Sequence, residues 1–198
     1  MKVMVFGGTG RTGRLITQRL VDEGHDVLVA GRRDPQITGA AFRKVDLFDQ
    51  NAVRAACEGM DAAISALASG KNDPVCSGVA KALSGMQGLR FITIAGGGVD
   101  APGDAKGSAD QFIAWLMRRL VPHMLADRQA ELAILLASRL RWTMLRPPVL
   151  NNKPAKGQYK KTFDRPASKG ISRADLAVAA VDALKQDALI GRAPFVAW

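Results

Sequence analysis

The sequence predicts a doubly wound α/β protein of the Rossmann type, in which helices cover both faces of a parallel sheet. Short apolar runs alternate with segments of helical periodicity along all 198 residues, which is the order expected of repeated βαβ units. Residues 61–67 are apolar without alternation, as is typical of strands that are buried on both faces. Length and composition (47% apolar, 23% charged) predict a single domain over residues 1–198 with a substantial core.

The first half of the chain predicts a regular alternation of strands and helices. The helix after the first strand places Leu15, Ile16 and Leu20 on one face, and Gly24 ends it. Strands are predicted at residues 2–6, 26–30, 42–45, 61–67 and 89–95, and helices at residues 11–23, 51–57 and 74–86.

The second half begins with a glycine-rich loop, residues 95–108, which is long enough to be functional. Pro122 divides the helical stretch that follows, and Ser172 with Asp175 forms a capping box that starts the last helix. Helices are predicted at residues 109–120, at 124–138 and from 173, strands at 140–145 and 194–198, and a loop at 151–170.

The glycines after the first strand predict a dinucleotide-binding loop. They fit Gly-x-Gly-x-x-Gly from Gly8 and the variant Gly-x-x-Gly-x-x-Gly from Gly7. Such a loop approaches a pyrophosphate closely, and the next helix presents its free N–H groups to the anion. No Gly-Lys-Ser/Thr follows, so this is not a Walker loop; a tight turn without a ligand is the alternative. The candidate cofactor residues here are Gly7, Gly10, Arg11, Thr12 and Gly13.

Two arginines after the second strand favour NADPH over NADH. A hydroxyl-binding acid is expected at that strand end, but Arg32 and Arg33 stand there instead. Guanidinium groups attract a 2′-phosphate through charge-assisted hydrogen bonds, whereas an acid would repel it. Arg11, in the glycine loop, could reach the same phosphate. The alternative is that both arginines are ordinary surface charges.

Further strand ends complete the predicted cleft, since the carboxyl ends of parallel strands meet at one edge. Asp46 and Leu47, after the third strand, are placed to meet the adenine. Ala66, Leu67 and Ala68, after the fourth, are placed along the route to the nicotinamide. These are inferences from position, because none of these residues is chemically distinctive.

The chain resembles the atypical short-chain dehydrogenase/reductases, in the NmrA-like branch that includes the flavin reductase/biliverdin-IXβ reductase proteins. The resemblance rests on FGGTGRTGR, VLVAGRR, VDLFD, LRWTMLRPP and ISRADLA, and runs nearly end to end. It implies an NAD(P)H-binding Rossmann fold with a small C-terminal substrate-side segment. It also implies hydride transfer from NADPH to a flavin or a linear tetrapyrrole, by a monomer.

The catalytic positions depart from this family. Tyr159 is the sole tyrosine, and Phe163 stands where the lysine of a Tyr-x-x-x-Lys pair would be. On the helix where that pair would fall are Asp127, Arg128 and Glu131. The serine and histidine of the biliverdin-type reductases are replaced. The stretch matching the serine is Ala95-Gly96-Gly97, and Val149 follows Pro148 in place of the histidine. The resemblance therefore gives Gly96, Gly97, Pro148 and Val149 as substrate-side residues and leaves the catalytic residues unknown.

The net charge of +10 favours anionic partners, and much of it is concentrated. Residues 153–173, within the basic substrate-side segment 151–173, contain seven Lys or Arg and one acid. This segment could hold a flavin phosphate or a propionate. A nucleic-acid binder is disfavoured because no recognition helix, aromatic platform or basic repeat is evident.

The leading prediction is an NADPH-dependent reductase of a planar acceptor such as a flavin, a quinone or a tetrapyrrole. The alternative is a non-catalytic redox sensor that binds the dinucleotide and acts through a protein partner. No membrane span, signal peptide or metal-ligand spacing is evident, and two cysteines are expected to be reduced thiols. The expected location is therefore the cytoplasm.

Overall fold

The computed structural model describes residues 1–71 and 73–198, and its centre is a six-stranded parallel sheet. The strand order is β3-β2-β1-β4-β5-β6, so the direction of winding reverses between β1 and β4. The strands are β1 (Lys2–Phe6), β2 (Asp26–Gly31), β3 (Ala40–Lys44), β4 (Ala62–Ser65), β5 (Arg90–Ile94) and β6 (Arg141–Leu145). This architecture confirms the predicted Rossmann-type fold.

In the described part of the chain, six α-helices connect and cover these strands: α1 (Arg11–Asp22), α2 (Gln50–Cys57), α3 (Val75–Leu83), α4 (Ser108–Leu120), α5 (Pro122–Ala137) and α6 (Arg173–Asp182). Asp49 caps α2 by accepting hydrogen bonds from the backbone N–H groups of Asn51 and Ala52. Pro122 is the first residue of α5, where its missing N–H costs nothing, so this helix begins two residues earlier than predicted.

The core lies on both faces of the sheet, as the alternation of side chains along each strand requires. Val3 and Val5 of β1 pack in the layer that α1 and α6 cover. Met4 and Phe6 point the other way, into the layer formed with α2, α3 and α5. All four are fully buried, and each such side chain contributes about 1.5–3 kcal/mol.

The basic segment is more ordered than the predicted loop at residues 151–170. Four short strands belong to this side of the molecule: β7 (Val149–Asn151), β8 (Lys160–Thr162), β9 (Gly170–Ser172) and β10 (Phe195–Ala197). β7 pairs with β9, and β8 pairs with β10 at the end of the chain. The loop prediction was wrong for β8 because its partner strand lies about thirty residues away in sequence, where local patterns carry no signal.

Ser172 is the N-cap of α6 as predicted, and the acid of the predicted capping box, Asp175, accepts a hydrogen bond from the Ser172 hydroxyl and anchors the basic segment. Ser172 accepts a hydrogen bond from the backbone N–H of Asp175. The buried carboxylate of Asp175 accepts hydrogen bonds from the backbone of Lys156 and Gly157 and from the indole of Trp198. Burial would raise the pKa of Asp175, but these donors outweigh it and lower that pKa. The anion at the start of α6 therefore ties the segment and the last residue to the sheet.

Within residues 1–71 and 73–198, none of the helices has both the length and the apolar character needed to cross a membrane.

Candidate functional site

Two cavities open at the carboxyl ends of the parallel strands and share Leu67 and Ala68, just after β4. The smaller cavity, about 360 Å³, lies over the ends of β1 and β2 and is bordered by Gly7, Arg32, Arg33, Asp46 and Leu47. The larger cavity, about 610 Å³, lies over β4, β5 and β6 and is bordered by Gly10, Arg11, Thr12, Gly96, Gly97, Pro148 and Val149. The cleft therefore spans the switch point where ligands of such sheets bind.

The glycine loop needs glycine at two positions for reasons that the structure makes explicit. Gly7 has a φ of +80°, and a side chain there would meet the carbonyl of Ala66 at 2.8 Å. A Cβ on Gly13 would lie 2.0 Å from the carbonyl oxygen of Gly7. Gly13 is buried beneath the loop and borders neither cavity, so it serves the packing of α1 on the loop.

The N-terminus of α1 is open toward the larger cavity. Gly10 is its N-cap residue and provides no side-chain hydrogen bond to the first turn. Gly10, Arg11 and Thr12 all border this cavity. The free N–H groups and the positive end of the helix dipole are thus available to an anion such as a pyrophosphate.

The three candidate arginines border different parts of the cleft. Arg32 and Arg33 are exposed on the border of the smaller cavity, and no carboxylate among the described residues forms an ion pair with them. Arg11 borders the larger cavity instead. Asp46, across the smaller cavity, turns its carboxylate to the backbone N–H of Phe48 at 3.0 Å. The border of the smaller cavity therefore combines Arg32 and Arg33 with two aspartates, Asp46 and Asp73.

The larger cavity is mainly apolar and is covered by α4 and α5. Ile113 and Met117 of α4 and Met124 and Leu125 of α5 border it. Of the seven basic residues of the segment, Lys169 borders this cavity. The apolar walls and the glycines opposite them suit a flat ring system.

Sequence reasoning noted Arg128 and Glu131 but missed the ion pair that they form at the end of β5. Arg128 Nη1 lies 2.6 Å from Glu131 Oε2, and Arg128 Nη2 donates to the carbonyl of Leu67 at 2.5 Å. Thr93 Oγ1 donates to Glu131 Oε1 at 2.7 Å. Burial alone would lower the pKa of Arg128, but Glu131 outweighs it and raises that pKa. Arg128 borders the larger cavity and remains charged there.

Asp127, next to this pair on α5, holds the loop between β4 and α3. Its carboxylate accepts hydrogen bonds from the hydroxyls of Ser69 and Ser77 and from the backbone N–H groups of Cys76 and Ser77. Burial would raise the pKa of Asp127, but the four donors outweigh it and lower that pKa. Its partners lie 50 and more residues earlier in the sequence, so no local pattern indicated this role.

Two residues with plausible acid chemistry lie away from the cleft. Tyr159 donates a hydrogen bond to Asp182 at 2.6 Å on the α6 side, and neither cavity includes it in its border. Burial and the neighbouring Asp182 raise its pKa. His123 is exposed near the start of α5 and borders neither cavity. The fold therefore does not bring Tyr159 into the cleft, where the catalytic tyrosine of the short-chain dehydrogenases would lie.

Residues 7–187 match the model of the NAD(P)H-binding family. The chain belongs to this family. The glycine loop at the carboxyl end of β1 lies within the residues that match this NAD(P)H-binding family. The match covers every strand of the central sheet except β1, which ends one residue before it begins.

Solved structures share the fold over the full length of the chain. A candidate exported protein from Burkholderia pseudomallei is 27% identical, with a TM-score of 0.76 and complete coverage of both chains. A candidate NADH-flavin reductase from Streptococcus pneumoniae TIGR4 is 23% identical, with a TM-score of 0.82 over 100% of this chain and 99% of that one. The anaerobillin reductase ChuY from Escherichia coli O157:H7 is 19% identical, with a TM-score of 0.82 over 100% and 97%.

Proposed function

We propose that this protein is a reductase that transfers hydride from NADPH to a planar acceptor, either a flavin, a quinone or a linear tetrapyrrole. The observation that carries the proposal is the pair of cavities that share Leu67 and Ala68. One has free cationic side chains suited to a phosphate, and the other is apolar and suited to stacked rings. A dinucleotide laid across the glycine loop would place its adenosine half in the first and its nicotinamide in the second.

NADPH is the proposed cofactor because Arg32 and Arg33 stand where an acid would otherwise bind a ribose hydroxyl. A hydrogen bond to a charged group contributes about 1.5–3 kcal/mol, so one arginine–phosphate contact favours NADPH by about 10- to 150-fold. Both arginines are exposed, which places the expected preference toward the lower end of that range. Asp46 and Leu47 would border the adenine from the other side of the smaller cavity.

The acceptor is proposed to occupy the larger cavity beside the nicotinamide. Gly97 lies beside Pro148, and a Cβ on it would be in ordinary van der Waals contact with the Pro148 Cα atom at 3.4 Å. Gly96 and Gly97 add no side chain to the border that they share with Met117 of α4 and Met124 of α5. Parallel stacking of two rings would bring donor and acceptor atoms together, and such proximity contributes up to about 7–11 kcal/mol to catalysis.

The test is NADPH oxidation, followed by its near-ultraviolet absorbance, with FMN, riboflavin, a soluble quinone and biliverdin, and with NADH in parallel. We expect turnover with at least one acceptor and a higher kcat/KM with NADPH. The double variant Arg32→Ala/Arg33→Ala should lose most of this preference and keep its activity with NADH. Arg43→Ala, which removes an exposed arginine of β3 outside both cavities, is the matched control. An unchanged preference in the double variant would refute the role of Arg32 and Arg33 in it, and a wild-type protein that uses NADH as well as NADPH would refute the assignment of NADPH.

A non-catalytic redox sensor is the second candidate. It is favoured by the border of the larger cavity, which within the described part of the chain contains neither tyrosine nor histidine. Tight NADPH binding with no turnover on any of the four acceptors would establish this candidate. The next experiment would then be to identify a protein partner whose binding changes with the oxidation state of the dinucleotide.

A further inference from the structure

The guanidinium of Arg128 is a buried charge whose hydrogen-bonding capacity is only partly used. It carries five N–H groups. Nη1 donates to Glu131 and, at 3.2 Å, to Thr93, and Nη2 donates to the carbonyl of Leu67. The Nε–H and one Nη2–H have no acceptor in the described part of the chain. Because Arg128 borders the larger cavity, these two donors are available to a ligand there.

The ion pair is oriented with its positive end toward the cavity. Arg128 borders the cavity and is 6% exposed, whereas Glu131 is fully buried and does not border it. Both Glu131 oxygens are held, one by Arg128 and the other by the hydroxyl of Thr93. A fixed cation in a site of this kind stabilises negative charge with no reorganisation when that charge develops.

Proton donors, by contrast, are scarce around the larger cavity. In the described ranges its titratable side chains are Arg11, Asp110, Arg128 and Lys169, with no tyrosine, histidine or cysteine. Arg11 and Lys169 are exposed, so they meet solvent and not the enclosed floor. Apart from the carboxyl of Asp110, in the first turn of α4, the described border offers no acid to a substrate that must be protonated in the same step as hydride transfer.

We propose that Arg128 is a catalytic residue that holds the negative charge of the reduced acceptor, and that the acceptor is a ring system reduced to an anion without protonation. This rests on the proposed reduction by NADPH. Hydride leaves C4 of the nicotinamide with its electron pair, which gives NADP⁺. In a flavin it forms the N5–H bond, and the negative charge spreads over N1 and the C2 carbonyl, within reach of a guanidinium. A quinone likewise gives a hydroquinone monoanion, and water supplies the remaining proton after release.

A tetrapyrrole differs because hydride transfer to its bridging carbon leaves a negative charge that a pyrrole nitrogen must take up with a proton. The proposal therefore ranks flavins and quinones above biliverdin as acceptors for this chain. Biliverdin turning over faster than every flavin and quinone tried would contradict this ranking.

The first experiment uses the wild-type protein with FMN under anaerobic single-turnover conditions. NADPH deuterated at the transferred position should slow the reaction, which shows that hydride transfer is observed. The rate should then be the same within about 1.3-fold in D₂O and between about pH 6 and pH 9, where no protein acid has to act. A solvent isotope effect near twofold, with a rate that falls as an acid deprotonates, would overturn the proposal.

The second experiment replaces the guanidinium. Arg128→Gln should lower kcat by about 10²–10³-fold, the cost of removing one donor to a developing anion, with little change in the dissociation constant of NADPH. Arg128→Lys should recover part of the loss, and Arg119→Gln, an exposed arginine of α4 outside the cavity, is the control. A folded Arg128→Gln variant with kcat within about threefold of wild type would overturn the proposal. No turnover by the wild type with any acceptor would instead refute the reductase function itself.

Discussion

The carboxylate of Asp127 caps a helix to which it does not belong, and Asp127→Ala tests how much this contributes to stability. Helix α3 follows Pro74, which provides no side-chain cap. The N–H groups of Cys76 and Ser77, in its first turn, donate instead to Asp127 of α5 at 3.0 and 3.1 Å. The negative charge also lies at the positive end of the α3 dipole.

The expected loss follows from the groups that the substitution leaves without partners. Two backbone N–H donors would lose their acceptor, at about 1–3 kcal/mol each, while the hydroxyls of Ser69 and Ser77 can rotate toward other acceptors. We therefore expect Asp127→Ala to lower the free energy of unfolding by about 3–4 kcal/mol. A protein of this size loses about 2–4 °C of Tm per kcal/mol, so Tm should fall by roughly 10 °C.

The assay is urea unfolding at pH 7, followed by circular dichroism, with thermal melts in parallel. Asp22→Ala is the matched control, because Asp22 is exposed on a helix and accepts one hydrogen bond from Gln18. It should change stability by no more than about 0.5 kcal/mol. If Asp127→Ala were as stable as this control, the capping role assigned to Asp127 would be wrong.

The pH dependence gives a second check on Asp127. Its pKa is lowered in the folded protein, so the stability it contributes is complete above the unfolded-state pKa of about 3.9. That contribution is lost as the pH falls through the lower folded-state value. The difference in unfolding free energy between wild type and Asp127→Ala should therefore be constant from about pH 8 to pH 5 and should narrow below about pH 4. If the difference in unfolding free energy between wild type and Asp127→Ala widened in acid, the role of the ionised Asp127 carboxylate as a cap would be contradicted.

Three further predictions concern other parts of the molecule. Gly13→Ala should weaken NADPH binding at least about tenfold in a titration, since its Cβ would lie 2.0 Å from a backbone carbonyl oxygen. In the control Gly78→Ala, the new Cβ meets no atom within 4 Å, so NADPH binding should be unchanged. Burial raises the pKa of Cys57 and Cys76 to about 12, so a disulfide reagent at pH 8 should label neither in the native protein and both in urea; rapid native labelling would contradict this. Lys169→Ala should raise the KM for FMN about tenfold and that for riboflavin by less than twofold if this residue binds the flavin phosphate; equal effects on both would exclude that role.

The sequence predicted the features that depend on neighbours along the chain. Apolar runs gave the strands of the sheet to within a few residues, and the glycines after β1 indicated the loop that the family match supports. The capping box at Ser172 and Asp175 was also evident, because both partners lie within one turn. Gly96, Gly97, Pro148 and Val149 were expected on the substrate side, and the structure brings all four to one cavity.

The tertiary structure alone decided what depends on residues far apart in sequence. Asp127 caps a helix about fifty residues earlier, and Arg128 donates to a carbonyl sixty-one residues away, so no local pattern announces either contact. The sequence left open whether Arg11 reaches the phosphate expected at Arg32, and in the structure Arg11 borders the larger cavity and Arg32 the smaller one. Hydrophobic periodicity and turn chemistry act over a few residues and therefore determine elements and their order. Which charges become buried together depends on how helices pack across the sheet, and that is set only when the whole chain folds.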